Sequence, residues 1–310
     1  MLHPAFRPSE LAHTFSIVAR DPATGHLGVA VQSHWFNVGL LVLWAEPGAG
    51  VVATQAMVNP SYGPLGLRRM AAGEAAPDAL DALLASDDGR DLRQVAMVDT
   101  SGRVAAHTGS RCMAEAGHAT GKGYSVQANI MASARVWPEM ANAYEQTHGD
   151  LPARMLAALD AAQAAGGDLR GKQSAAMLVV DGVSSDEPWN HVLLELRVED
   201  HPEPLVELRR LLTLQRAYDH MNRGDDLLGK GLVEEALAEY RTAAGLAPDI
   251  AELPFWHAVT LADVGRVQEA LAVFRQAFRA DPNLRTLLRR LPAAGMVHVD
   301  PETLELYLSA

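Results

Sequence analysis

The sequence predicts an α+β domain followed by an all-α domain, and three observations carry that expectation. Strand-length apolar segments recur between Thr14 and Val198, clustered and separated by pairs of helical segments, a pattern of layered α+β folds and not of a doubly wound βαβ sheet. From about Pro204 the strand patterns stop and helical periodicity takes over. The tail then matches itself at an offset of 34 residues, Leu227 falling on Leu261 and Pro248 on Pro282. The domains expected are therefore residues 1–200, with 1–13 as a leader or extension, and residues 204–310.

The first strands are TFSIVARD from Thr14 and HLGVAVQSH, joined by the turn Pro22-Ala23-Thr24-Gly25 as a hairpin. The apolar stretch Gly39 to Ala56 is broken by Glu46, Pro47, Gly48 and Gly50, so it reads as two buried strands around a turn and not as a membrane span. Further strands are expected at Gln94 to Asp99, Arg103 to Thr108, Tyr124 to Asn129, Ser174 to Val180 and His191 to Val198. Helices are expected at Pro64 to Ala72, from Pro77, at Val136 to Thr147 and at Leu151 to Ala165, the last stopped by Gly166-Gly167.

In the tail the offset also pairs Gly231 with Gly265, Ala236 with Ala270, Leu237 with Leu271, Tyr240 with Phe274 and Ala243 with Ala277. Small residues where helices cross, an aromatic one turn later and a closing proline make this segment resemble the tetratricopeptide repeat. The resemblance implies helix pairs in which Tyr240 and Phe274 fill the groove. Two such units need flanking helices, expected at Leu205 to Gln215 and Leu284 to Leu291. The tail is then a surface for a protein partner, or for self-association into a homo-oligomer.

Composition excludes several function classes. A chain of 310 residues at 48% hydrophobic content can bury one large core and a satellite without staples. Cys112 is the single cysteine, which rules out an intrachain disulfide and fits a reducing, cytoplasmic setting. The net charge of -12 opposes nucleic acid and anionic membrane surfaces. The first thirteen residues lack the apolar core of a secretory signal. Neither GxGxxG nor a P-loop occurs, and the spacing of His107, Cys112 and His118 fits no zinc pattern, so no cofactor or metal is expected.

The segments TFSIVARD, GVAVQSH, VVATQAMVNPSYGPLG, RQVAMVD, GRVAAHTG, GYSVQANIM and AAGGDLRGKQSAAMLVV together resemble domain-of-unknown-function family 1028, over roughly Ala12 to Val198. That family is grouped with the N-terminal-nucleophile hydrolases, so the resemblance implies a four-layer αββα sandwich and hydrolysis of a small amide or peptide-like bond. The nucleophile in such enzymes is the first residue of the processed chain, whose α-amino group serves as the base. The resemblance places that role at Thr14, which requires cleavage of the His13-Thr14 bond, because an amide nitrogen is not basic. It does not extend to a proteasome-type charge network: no lysine lies between Thr14 and Lys122, and Gln32 stands where such members carry aspartate. A non-catalytic binding module on the same scaffold is the alternative.

The other candidates follow from position. Ser33 and His34 end the second strand, and Asn129 ends YSVQA, where its amide can donate to an oxyanion. Thr54, Gln55, Asn59 and Tyr62 cluster after an apolar strand, and strand ends commonly supply ligand contacts. Asp168, Lys172 and Gln173 crowd a helix-to-strand junction. Thr14, Ser33 and Asn129 are thus the catalytic candidates, and the others the candidates for substrate binding.

Overall fold

The computed structural model describes residues 11–12 and 14–310; most of the expected leader, His13 included, lies outside them. The chain divides into two compact units with the boundary after Arg209. In order, the first unit holds β1 (Leu11–Ala12), β2 (Thr14–Arg20), β3 (Leu27–Ser33), α1 (Gly39–Val42), β4 (Leu43–Glu46), β5 (Gly50–Met57), α2 (Tyr62–Ala71), α3 (Ala76–Ala85), β6 (Arg93–Asp99), β7 (Val104–Thr108), β8 (Gly117–Gly121), β9 (Tyr124–Ala128), α4 (Val136–Gln146), α5 (Leu151–Ala164), β10 (Ser174–Val180) and β11 (Val192–Val198).

These strands form two antiparallel sheets. One runs β1-β5-β6-β7, with β4 beside β1 on the same edge of β5; the other runs β11-β10-β3-β2-β9-β8. Alternation along β2, β3 and β10 turns Val18, Val29, Val31 and Ala176 toward Val51, Ala53, Ala96 and Val98 of the first sheet, and these side chains make one buried core. The outer face of the first sheet carries α2 and α3 on Val52, Val95 and Met97. On the outer face of the second sheet, Gly28 leaves room for Met155 and Leu151 of α5, and Tyr124 packs its ring 4.6 Å from that of Tyr144 on α4. Central strands covered on both faces have no solvent side, which is why β2, β3 and β5 read as apolar runs.

Two elements depart from expectation. Gly39–Val42 forms a helical turn before β4, so the first of the two expected strands is short. β8 is a strand whose sequence, GHATG, lacks strand character; the turn at Gly123, at φ +76°, folds it back onto β9 in register.

α6 (Pro204–Gly229) crosses the unit boundary and is longer than the flanking helix expected there. After it come α7 (Val233–Leu246), α8 (Glu252–Asp263), α9 (Val267–Ala280), α10 (Leu284–Arg290) and α11 (Pro301–Leu308). α7 and α9 have 14 residues each, and the positions before them, Gly231 and Gly265, both adopt left-handed φ, +76° and +78°. The sequence offset is therefore an offset in backbone conformation as well. Ala236, Ala270, Tyr240 and Phe274 are buried, and Phe255, Phe274, Phe278 and Tyr307 build the aromatic centre of this helical unit.

Candidate functional site

One end of the second sheet carries a polar row. Register pairs Thr14 with Ser33 and Ser33 with Ser174, and Asn129 continues β9 beside Thr14, its backbone N–H donating to the Thr14 carbonyl at 3.1 Å. Alternation turns all four toward the other sheet, because Ser16, Val31 and Ala176, two residues along, face it. The three catalytic candidates are thus brought onto adjacent strands, and each is fully buried. Ser174 Oγ accepts from the Val38 N–H at 3.1 Å and donates to the Trp35 carbonyl, tying down the loop after β3.

Behind this row lies a buried amide network joining the sheets. Ser16 Oγ donates to Gln55 Oε1 at 2.6 Å and accepts from Gln127 Nε2 at 2.6 Å. Gln55 Nε2 donates to Gln94 Oε1 at 2.7 Å and to the Thr14 carbonyl at 3.2 Å. Asn129 Nδ2 donates to the same Gln94 oxygen at 2.9 Å and reaches the Thr14 carbonyl at 3.4 Å. Donors from two strands therefore converge on the Thr14 carbonyl and fix that residue's backbone. Its side chain differs: among the described residues, Thr14 Oγ1 is buried without a hydrogen-bond partner.

The residues after two of these side chains sit in strained backbone. Ala56 follows Gln55 at φ +66°, and Ile130 follows Asn129 at φ +56°. A left-handed non-glycine residue costs roughly 1–2 kcal/mol, and such strain concentrates at functional positions.

Other candidates part company. Gln55 belongs to the inter-sheet network, but alternation turns Thr54 to the opposite face, where its Oγ1 donates to the Asn59 carbonyl at 3.2 Å. Asn59 Oδ1 accepts from the Ser61 N–H and hydroxyl at the start of α2. The Tyr62 hydroxyl donates to Asp87 at 3.1 Å; burial, then that carboxylate, pushes the phenol pKa far up. Thr54, Asn59 and Tyr62 thus serve the packing of α2 on the first sheet, away from the Thr14 row.

His34, being next to Ser33 on an extended chain, cannot share its face, and its side chain is exposed. Its backbone N–H donates to Asp168 Oδ2 at 3.2 Å, and buried Asp168 also holds the Arg170 guanidinium at 2.7 Å. The Gln173 N–H donates to the Ser33 carbonyl at 3.0 Å, so this loop rims the end of β3. The side chains of Lys172 and Gln173 turn to Glu203 and Asp200 and are spent there.

Sequence reasoning passed over Ser16, Gln94, Gln127 and Thr108. A signal existed: Ser16 shares parity with Thr14, and Gln127 with Asn129, each a polar residue inside an otherwise apolar strand. Gln94 Nε2 donates to Thr108 Oγ1 at 2.9 Å, and Thr108 Oγ1 is hydrogen-bonded to His118 Nδ1, 2.8 Å away. Thr108 and His118 line an open cleft of about 530 Å³, together with Ser110, Cys112, Glu115 and Trp137. The buried network therefore has an outlet to solvent. Among the described residues no group of three or more His, Cys, Asp or Glu side chains gathers as a metal site, and no helix is long and apolar enough to cross a membrane.

The model of a family of unknown function, DUF1028, matches residues 14–208, with Thr14 as its first matched residue. The chain belongs to the DUF1028 family. It is similar to a crystal structure of a DUF1028 protein from Silicibacter pomeroyi, at 33% identity and a TM-score of 0.58, over 65% of this chain and 88% of that one. No curated protein matches this DUF1028 chain.

Proposed function

We propose that the first unit is an N-terminal-nucleophile amidohydrolase acting on a small amide or peptide-like bond, with Thr14 as nucleophile once the bond before it is cut. The reading rests on one observation above the rest: a fully buried threonine hydroxyl without a partner, in a row with Ser33 and Asn129 at the seam of two stacked sheets flanked by helices. The helix–sheet–sheet–helix layering is read as the αββα sandwich of those hydrolases.

In the uncut chain the Thr14 nitrogen is an amide, and the side chains of the network around it, Ser16, Gln55, Gln94, Gln127 and Asn129, carry no charge, so that network supplies no base. A freed α-amine supplies one. It takes the Oγ1 proton as the oxygen attacks the substrate carbonyl, and it returns that proton to the leaving amine. Water then hydrolyses the ester on Thr14 and restores the hydroxyl. Asn129 Nδ2 is the donor assigned to the oxyanion, by turning to it the N–H that reaches the Thr14 carbonyl at 3.4 Å, and Ser33 is the neighbouring hydroxyl that orients substrate. The His34–Asp168–Gln173 loop rims the entrance.

The test is a hydrolysis screen with small amides on a chain beginning at Thr14. Activity in that chain, lost in Thr14→Val and retained in Thr14→Ser, supports the proposal; equal activity in Thr14→Val overturns it.

A second reading, a non-catalytic binding module, is favoured by the same network. Gln55 and Gln94 spend their amides on one another, on Thr108 and on backbone carbonyls, which alone explains their burial. In both readings the helical unit is taken as a tetratricopeptide-type repeat for a protein partner or self-association, on the 34-residue recurrence of α7 in α9.

A further inference from the structure

The open cleft outside the Thr14 row has a charge pattern that its size alone does not require. Its walls come from the loop after β7, the start of β8 and Trp137 of α4, around a volume of about 530 Å³, which suits a small molecule. Desolvation pushes the Cys112 thiol pKa up, and desolvation with neighbouring His107 pushes that of His118 down, which favours the neutral form of each. Among the residues lining the cleft, Glu115 is the one carboxylate, and no lysine or arginine stands with it.

Glu115 is exposed, and among the described residues its carboxylate makes no ion pair with arginine or lysine, so it stays open to a ligand entering the cleft. Glu115 is also held in left-handed backbone at φ +52°, with its carbonyl accepting from the Met131 N–H at 3.1 Å. Glycine would occupy that conformation without penalty. Nearby, the Trp137 ring lies so close over Gly117 that a Cβ there would stand 2.6 Å from it, which fixes the indole at the cleft wall.

We propose that this cleft binds a small organic cation, its ammonium or guanidinium head held by the Glu115 carboxylate and the Trp137 indole. A carboxylate and an aromatic surface lining one concave site are the chemistry that recognises such a head. Ser110 offers a hydroxyl acceptor to its N–H groups, and the net charge of -12 draws cations toward the protein. The site does not depend on cleavage or chemistry at Thr14.

Isothermal titration of the full chain with choline and with agmatine at low ionic strength tests it. Saturable binding of at least one is expected, weakened at least tenfold by Glu115→Gln, several-fold by Trp137→Leu, and weakened by added salt. Glu115→Gly separates binding from folding: its melting temperature should equal or exceed the parent's while it loses the cation as Glu115→Gln does. No saturable binding of either probe, or unchanged binding in both Glu115 variants, overturns the proposal.

Discussion

Thr14 Oγ1 pays for burial with no bond in return, and an unsatisfied buried hydroxyl costs about 1–3 kcal/mol. Valine has nearly the same shape without the hydroxyl. Thr14→Val is therefore expected to match or exceed the parent in urea unfolding while abolishing any amidase activity of the cut chain. Gln94 is the opposite case. Its oxygen accepts from Gln55 and Asn129, and its nitrogen donates to Thr108 and to the Ala128 carbonyl. Gln94→Leu orphans buried amides on both sheets and should cost about 2–4 kcal/mol in the same measurement. At this scale the sequence was only partly legible. Thr14, Ser33, Asn129 and Gln55 stood at strand ends that register brings together, whereas Ser16 sat inside an apolar strand and Gln94 opened one, and neither position gives a local hint of its partner across the sandwich.

The elements were read more fully, because periodicity records which faces are covered. β5 and β6 were expected nearly as they stand, and α4 and α5 within a residue or two, since long apolar runs bounded by glycine and proline leave little freedom. β8 was missed because its pairing with β9, and not its own residues, makes it a strand. Thr54 lies apart from the Thr14 row because neighbours on a strand face opposite ways, and only the packing of α2 decides which face is which. Gly63 on α2 tests that packing: a Cβ there would lie 2.2 Å from the Trp44 ring on β4, so Gly63→Ala should destabilise by about 1–3 kcal/mol in urea unfolding. In the helical unit, burial of His257 on α8, with Arg241 and Arg266 nearby, lowers its pKa from 6.5 to about 4. The unfolded chain thus takes up a proton that the folded one refuses, and stability falls as pH drops from about 6.5 toward 4, by up to about 3 kcal/mol. His257→Leu should flatten that part of a stability-against-pH profile.

At the scale of the molecule, the change from strands to helices near Pro204 was visible in the pattern, but α6 runs unbroken through the point where the compact units divide. Helical periodicity does not stop where one packed unit gives way to the next, so no local residue marks that boundary. β1 lies on the first sheet at Ala56 and Met57, and β2 starts at Thr14 on the second. A cut before Thr14 would therefore place the new amine at the seam between the sheets, beside the amide network. The central claim is that this amine exists in the working protein. Intact-mass spectrometry of the purified protein, run beside an amidase assay on the same sample, addresses it most directly. The account predicts that activity tracks the species beginning at Thr14; activity carried by chains that retain residues 1–13 would contradict it.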